Sequence, residues 1–115
     1  MTNDAQFEVT VSGQPGPAVL RAQGEIDVAS APEFHDALSG LIAESPAVLI
    51  VDMSDVSFID STGLGVLVSA EKQMRAEGSG LRLVVTHPQI TRLLELTGLD
   101  EVFTVVSNTT DAVNA

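Results

Sequence analysis

Five consecutive apolar residues, Ala47-Val48-Leu49-Ile50-Val51, decide the fold class of this chain. A strand with one face in water alternates apolar and polar residues, whereas a strand covered on both faces is apolar throughout. Branched residues such as Val and Ile also fit an extended, pleated backbone. The run therefore predicts a central strand of a sheet, covered on both faces.

Helical patterns lie on both sides of this strand. Ser30-Ala31-Pro32-Glu33 predicts a capping box at the start of a helix that Ser45-Pro46 ends. The apolar residues at helical spacing in this helix are Phe34, Leu38, Leu41 and Ile42. A second helix is predicted from about Ser61 to Ala76, with Gly78 at its C-terminal end.

The N-terminal part of the chain predicts a hairpin. Phe7 to Val11 alternates apolar and polar residues, which is typical of a half-buried strand. The loop Gly13-Gln14-Pro15-Gly16-Pro17 follows, and Ala18 to Ala22 then predicts a second strand. We expect Gly24-Glu25-Ile26-Asp27 to leave the sheet.

The C-terminal half completes an alternation of strands and helices. The predicted elements are a mixed connection over Asp52 to Asp60, a strand over Leu81 to Val85, a helix from Pro88 to a C-cap at Gly98, a strand over Val102 to Val106 and a short helix capped by Ser107. The order β-β-α-β-α-β-α-β-α predicts one α/β domain over residues 1–115. Its sheet is mixed and mostly parallel, with an N-terminal hairpin and about four helices.

Composition excludes several functions. The chain has 115 residues, is 44% hydrophobic and has a mean hydropathy of +0.27, as a folded domain does. Five Lys and Arg against 16 Asp and Glu give a net charge of −11, which disfavours nucleic acid and anionic membranes as partners. Without cysteine there are no disulfides or thiolate metal sites. Met1-Thr2-Asn3-Asp4-Ala5 lacks signal-peptide features and no apolar run is long enough to span a bilayer, so we expect a cytoplasmic protein.

The segment Asp60-Ser61-Thr62-Gly63-Leu64-Gly65 opens the second predicted helix. Unpaired N–H groups and the helix dipole favour negative charge at such a point, so a phosphate could be held there. A glycine inside a helix costs about 1 kcal/mol relative to alanine, so Gly63 and Gly65 need a reason. One interpretation makes Ser61 an N-cap and lets the glycines ease packing on the sheet. The other makes the Ser61 hydroxyl an exposed target of modification, with the glycines allowing a partner to approach.

Enzymatic motifs are not complete in this sequence. No glycine lies two residues before Ser61, as a hydrolase elbow requires, and neither histidine has a recognisable triad neighbour. The dinucleotide fingerprint lacks its third glycine, and the P-loop lysine is missing. Asp52, Asp55 and Asp60 match no calcium-loop spacing, so they predict a solvated acidic rim. We therefore expect no catalysis, no cofactor and no metal.

The sequence resembles the anti-sigma factor antagonist family, which is built on the STAS domain. The strongest element is the run from Phe58 to Leu67, which is similar to the family's phosphorylation-site motif. Gly24-Glu25-Ile26-Asp27, Val48 to Asp52 and Thr97-Gly98-Leu99 support it, in order and at compatible spacing along nearly the whole chain.

The resemblance implies a phosphorylation switch. It implies that an anti-sigma factor with serine kinase activity phosphorylates Ser61, or less readily Thr62, and that a phosphatase reverses this. The unphosphorylated protein would bind the anti-sigma factor, which then releases its sigma factor. The implied partner-binding residues are Asp27, Asp60, Ser61, Thr62, Gly63, Leu64 and Gly65.

Two other hypotheses remain open from the sequence. STAS-like domains also occur in stress-signalling assemblies, lipid-transport complexes and anion transporters, so the chain could be a subunit of such a complex. A phospho-aspartate receiver also has an α/β fold, and Val51-Asp52-Met53-Ser54-Asp55 resembles an acceptor strand end. Receivers need a lysine near the last strand, whereas the one lysine, Lys72, falls in the second predicted helix.

Overall fold

The computed structural model describes residues 7–12 and 17–115, which form five strands and four α-helices. The strands are β1 (Glu8–Ser12), β2 (Ala18–Ile26), β3 (Val48–Ile59), β4 (Gly80–Val84) and β5 (Thr104–Val106). The helices are α1 (Ala31–Ile42), α2 (Ser61–Ala76), α3 (Pro88–Thr97) and α4 (Thr109–Asn114), with a short 3-10 helix at Leu99–Glu101. Of the predicted loop at 13–17, residues 13–16 lie outside the described part of the chain.

The five strands form one sheet in the order of the chain, β1-β2-β3-β4-β5. β1 and β2 are antiparallel, with Val9 opposite Ala22, and the other neighbours are parallel. The predicted mixed, mostly parallel sheet with an N-terminal hairpin is therefore confirmed. Because parallel crossovers are right-handed, a sequential strand order puts α1, α2 and α3 on one face of the sheet.

The main core lies between that face and the three crossover helices. It joins Leu49, Val51 and Met53 of β3 with the apolar stripes of the helices, among them Phe34 and Leu67. The opposite face of the sheet has a smaller core, in which Ala112 of α4 packs on Ile50 and Val84. Ile50 is thereby as fully buried as Leu49 and Val51. β3 is covered on both faces, as its apolar run predicts.

Two strands are longer than the sequence patterns predict. β3 continues through the predicted connection to Ile59, and β2 continues to Ile26 instead of leaving the sheet at Gly24. The register between these strands shifts twice, between Arg21 and Gln23 and between Gly24 and Glu25. Such bulges break the two-residue alternation on which strand prediction depends, so the pattern ends before the strand does.

The helix ends differ from the predictions in two places. Ser30 precedes α1, but its side chain makes no capping bond to that helix and instead bonds back into the preceding turn, so the predicted capping box is wrong. Asn108, not Ser107, caps α4, because its side chain accepts from the N–H of Asp111. Gly98 does end α3, with a left-handed φ of 76°.

Candidate functional site

The junction between β3 and α2 is one residue long. Asp60 lies between Ile59, the last residue of β3, and Ser61, the first residue of α2. Its extended backbone and its carboxylate cap the helix, because Oδ1 of Asp60 accepts a hydrogen bond of 3.1 Å from the N–H of Gly63. The interpretation of Ser61 as the N-cap is therefore wrong, and Ser61 is the first helical residue.

Ser61 and Thr62 are displayed at the surface of this helix start. Both residues are exposed, and within the described residues the Ser61 hydroxyl forms no hydrogen bond. The first N–H groups of a helix have no partner inside it, and here Asp60 satisfies only the N–H of Gly63. The N–H groups of Ser61 and Thr62 are thus left to solvent or to an anion, beside a hydroxyl that is accessible from solvent.

The two glycines of the first turns face opposite ways. A Cβ atom on Gly63 would lie 2.6 Å from Cγ2 of Ile26 and 2.7 Å from Cγ1 of Ile59, so Gly63 packs against the ends of β2 and β3. A Cβ atom on Gly65 would meet nothing within 4 Å, and Gly65 is exposed. Leu64 is buried in the main core. Close packing therefore explains why position 63 is a glycine but does not explain Gly65. Gly65 leaves an open surface one turn after Ser61.

Two exposed apolar side chains belong to the same edge of the sheet. Phe58, next to the last residue of β3, is 48% exposed, and Val28, just after β2, is 71% exposed. Phe58 lies opposite Glu25 in the pairing of β2 with β3, and its side chain is not part of the main core. Val28 carries no sequence signal, because a single valine in a loop fits no periodic pattern.

Asp27 lies in the loop that follows β2, and its carboxylate is used within that loop. Oδ1 of Asp27 accepts from the N–H groups of Ala29 and Ser30, at 3.0 and 3.2 Å. The adjacent residue, Ile26, is tied to the helix start, because its carbonyl oxygen accepts a hydrogen bond of 3.1 Å from the N–H of Asp60. The predicted site residues Asp27 and Asp60 are therefore parts of two connected loops.

Basic residues are absent from a long stretch of sequence around Ser61. The sequence from residue 22 to residue 71 contains no Lys or Arg. Arg21 is bound to Asp55, whose hydrogen bond and charge raise the pKa of the Arg21 guanidinium. A phosphate on Ser61 would lie beside the backbone N–H groups at the start of α2.

Neither a reversal of strand order nor a cluster of metal-ligating side chains occurs in the described part of the chain. α/β sheets bind small ligands where the strand order reverses, and the sequential order here has no such reversal in the described sheet. No cluster of three or more potential metal-ligating side chains occurs among the described residues. None of the helices in that part of the chain has the length and apolar character needed to cross a bilayer.

The fold and site define a small α/β domain that displays a serine at a capped, glycine-rich helix start. The chain belongs to the STAS domain family, whose model matches residues 8–112. It is 35% identical over 115 residues to the anti-sigma-F factor antagonist RsfB of Mycobacterium tuberculosis, covering 98% of this chain and 92% of that protein. It is 39% identical over 99 residues to the anti-sigma-B factor antagonist of Bacillus subtilis, covering 86% and 90% of the two chains.

A solved structure supports the same assignment. The crystal structure of an anti-sigma factor antagonist from Mycobacterium paratuberculosis superposes with a TM-score of 0.90 at 31% sequence identity, over 99% of this chain and 97% of that chain. The resemblance to the anti-sigma factor antagonist family that the sequence motifs predict is confirmed.

Proposed function

We propose that this protein is an anti-sigma factor antagonist that is switched off by phosphorylation at Ser61. In its unphosphorylated form it binds an anti-sigma factor with serine kinase activity, and that partner then releases its sigma factor. A serine phosphatase restores the binding form. The proposal includes a cytoplasmic location, a STAS domain that extends over residues 1–115 and no catalysis by the chain itself.

One observation carries this proposal. The hydroxyl of Ser61 is exposed at the first position of a helix whose start is fixed by the cap from Asp60. Relatives at 35–39% identity named anti-sigma factor antagonists support the class of partner. The acidic stretch from residue 22 to residue 71 supports a partner with a basic docking face.

The proposed modification is a phosphoryl transfer from ATP bound to the partner kinase. Oγ of Ser61 attacks the γ-phosphorus, the bond to the bridging oxygen of ADP breaks, and a base on the kinase takes the hydroxyl proton. The products are phosphoserine and ADP. In the reverse direction, the phosphatase directs water to the phosphorus and releases inorganic phosphate and the free serine.

The proposed partner surface combines Asp60, Ser61, Thr62 and Gly65, while Gly63 and Leu64 support it from beneath. A phosphate on Ser61 adds about −1.5 to −2 charge next to Asp60 and carries three strongly hydrated oxygens. A partner that covers the open surface at Gly65 would have to desolvate this charge. The whole-chain change, from −11 to about −13, is small beside that local cost.

The test compares variants at Ser61 against each serine-kinase anti-sigma factor encoded in the same genome. Incubation with ATP should place phosphate on Ser61, found by mass spectrometry, and Ser61→Ala should abolish it. In binding measurements with ATP present, Ser61→Ala should bind at least as tightly as the wild type, and Ser61→Asp should bind at least about 10-fold more weakly, which corresponds to about 1.4 kcal/mol.

Ser69→Ala is the matched control, since Ser69 is another exposed serine of α2, two turns further on. It should leave phosphorylation and binding unchanged. Phosphate on neither Ser61 nor Thr62, or equal binding by Ser61→Ala and Ser61→Asp, contradicts the switch. If a pull-down with this protein captures a transport subunit and no kinase, the alternative function, a STAS subunit of a transport complex, is favoured.

A further inference from the structure

The loop between β2 and α1 is closed by reciprocal hydrogen bonds between Asp27 and Ser30. The N–H of Asp27 donates to Oγ of Ser30 at 3.0 Å, and the N–H of Ser30 donates to Oδ1 of Asp27 at 3.2 Å. Oγ of Ser30 also donates to the carbonyl oxygen of Glu25 at 2.8 Å. This is the arrangement of a capping box, placed one turn before the position that the sequence predicts.

Ile26 lies between the residues that this network holds, and α2 begins against it. The carbonyl oxygen of Ile26 accepts from the N–H of Asp60 at 3.1 Å, and its side chain is fully buried. Cγ2 of Ile26 is also the atom nearest to the position that a Cβ of Gly63 would occupy. In the sequence, Ser61 therefore lies between two residues that pack or bond to Ile26, namely Asp60 and Gly63.

We infer that Asp27 is a positioning residue for the phosphorylation of Ser61, acting through Ser30 and Ile26, and that its charge is not a contact to the partner. The inference deepens the proposed function and rests on it. Oδ1 of Asp27 works here as a hydrogen-bond acceptor that fixes Ile26, and Ile26 in turn fixes the start of α2. A displacement of about 1 Å in a reacting group can cost about 100-fold in rate, so the place of the Ser61 hydroxyl matters.

Three variants separate the two roles of Asp27. Asp27→Asn keeps an Oδ1 acceptor and removes the charge, whereas Asp27→Ala removes both. Ser30→Ala breaks the same network from a neutral side chain that no partner-binding prediction includes. Asn108→Ala is the matched control, because it removes a comparable cap, the 2.8 Å bond to the N–H of Asp111, at the distant start of α4.

The first measurement is amide hydrogen exchange by NMR, which needs no partner. Exchange at Asp60, Gly63 and Leu64 is compared with exchange at Val51, at the centre of β3, so that local opening is separated from global unfolding. Asp27→Ala and Ser30→Ala should speed exchange at the three site amides at least about 10-fold relative to Val51. Asp27→Asn and Asn108→Ala should leave the ratio unchanged.

Two results of this measurement overturn the inference. One is an unchanged ratio in both Asp27→Ala and Ser30→Ala. The other is a ratio for Asp27→Asn that rises as far as the ratio for Asp27→Ala. If Asp27→Ala does not fold, Ser30→Ala gives the same decision.

The second measurement is the steady-state phosphorylation of Ser61 by the cognate serine-kinase anti-sigma factor. A positioning role predicts that Asp27→Ala and Ser30→Ala lower kcat at least about 10-fold with little change in KM, while Asp27→Asn behaves as the wild type. A raised KM for Asp27→Asn together with a normal Ser30→Ala contradicts it, as a charge contact would give that pattern. If no kinase phosphorylates the wild type, the proposed function fails. The hydrogen-exchange measurement then decides by itself whether Asp27 fixes the start of α2.

Discussion

A Cβ atom added at Gly63 would lie 2.6 Å from Cγ2 of Ile26, so the first turn of α2 fits against the end of β2 only without a side chain at that position. The contacted atom is bonded directly to the Cβ of a fully buried residue and cannot swing aside. The helix start that carries Ser61 would have to move instead. The same contact thus contributes to the stability of the domain and to the place of its proposed phosphorylation site.

Gly63→Ala should lower the free energy of unfolding by about 1–3 kcal/mol, the usual cost of overpacking. Alanine favours helices by about 1 kcal/mol over glycine, so the expected sign is opposite to that of helix propensity. Urea denaturation measures the change. Gly40→Ala in α1 is the control, because a Cβ there meets nothing within 4 Å, and it should raise stability by up to about 1 kcal/mol. Equal stabilities of the two variants would count against the contact.

Gly65→Ala should separate stability from partner binding. The added methyl points into open space, so the free domain should gain up to about 1 kcal/mol in urea denaturation. If a partner covers this surface closely, the same methyl should weaken its binding several-fold, which calorimetry with the anti-sigma factor would measure. Gly40→Ala again serves as the control and should change stability alone. Unchanged binding by Gly65→Ala would remove Gly65 from the partner surface.

Asp60→Ala should destabilise the domain by about 1 kcal/mol, because the N–H of Gly63 loses its side-chain acceptor. Asp60→Asn should recover most of that loss, since asparagine caps helices about as well as aspartate does. Thermal or urea unfolding of the two variants gives the comparison. Equal losses would mean that the charge of Asp60, and not its capping bond, stabilises the helix start.

Ser45→Gly should stabilise the domain by about 0.5–1 kcal/mol. Ser45 follows α1 with φ of 55°, a left-handed conformation that costs a residue with a Cβ about 1–2 kcal/mol. Glycine avoids this cost and gives back part of the gain through its more flexible unfolded state. Ala43→Gly is the control, because Ala43 has a helical φ of −62° and should lose stability on the same change. A loss of stability in Ser45→Gly would contradict this account of the turn.

The sequence predicts correctly those features whose signal comes from neighbouring residues. The apolar run at Ala47–Val51 and the glycine at position 98 each report on their own neighbourhood, and both predictions hold. The prediction of a connection over 52–60 is wrong, because most of this segment belongs to β3 and pairs with β2 across two register shifts. That pairing depends on residues about 30 positions away, which no window along the chain includes.

The sequence by itself determined the order of strands and helices, the acidic charge and the serine at a glycine-rich helix start. These follow from periodicity and residue type, which act over a few neighbouring residues. Only the tertiary structure decided that Gly63 faces inward while Gly65 faces solvent, and that the N–H of Asp60 bonds to the carbonyl oxygen of Ile26. The physical reason is that the ends of β2 and β3 meet α2 in space, and their fit sets which side chain each position can hold.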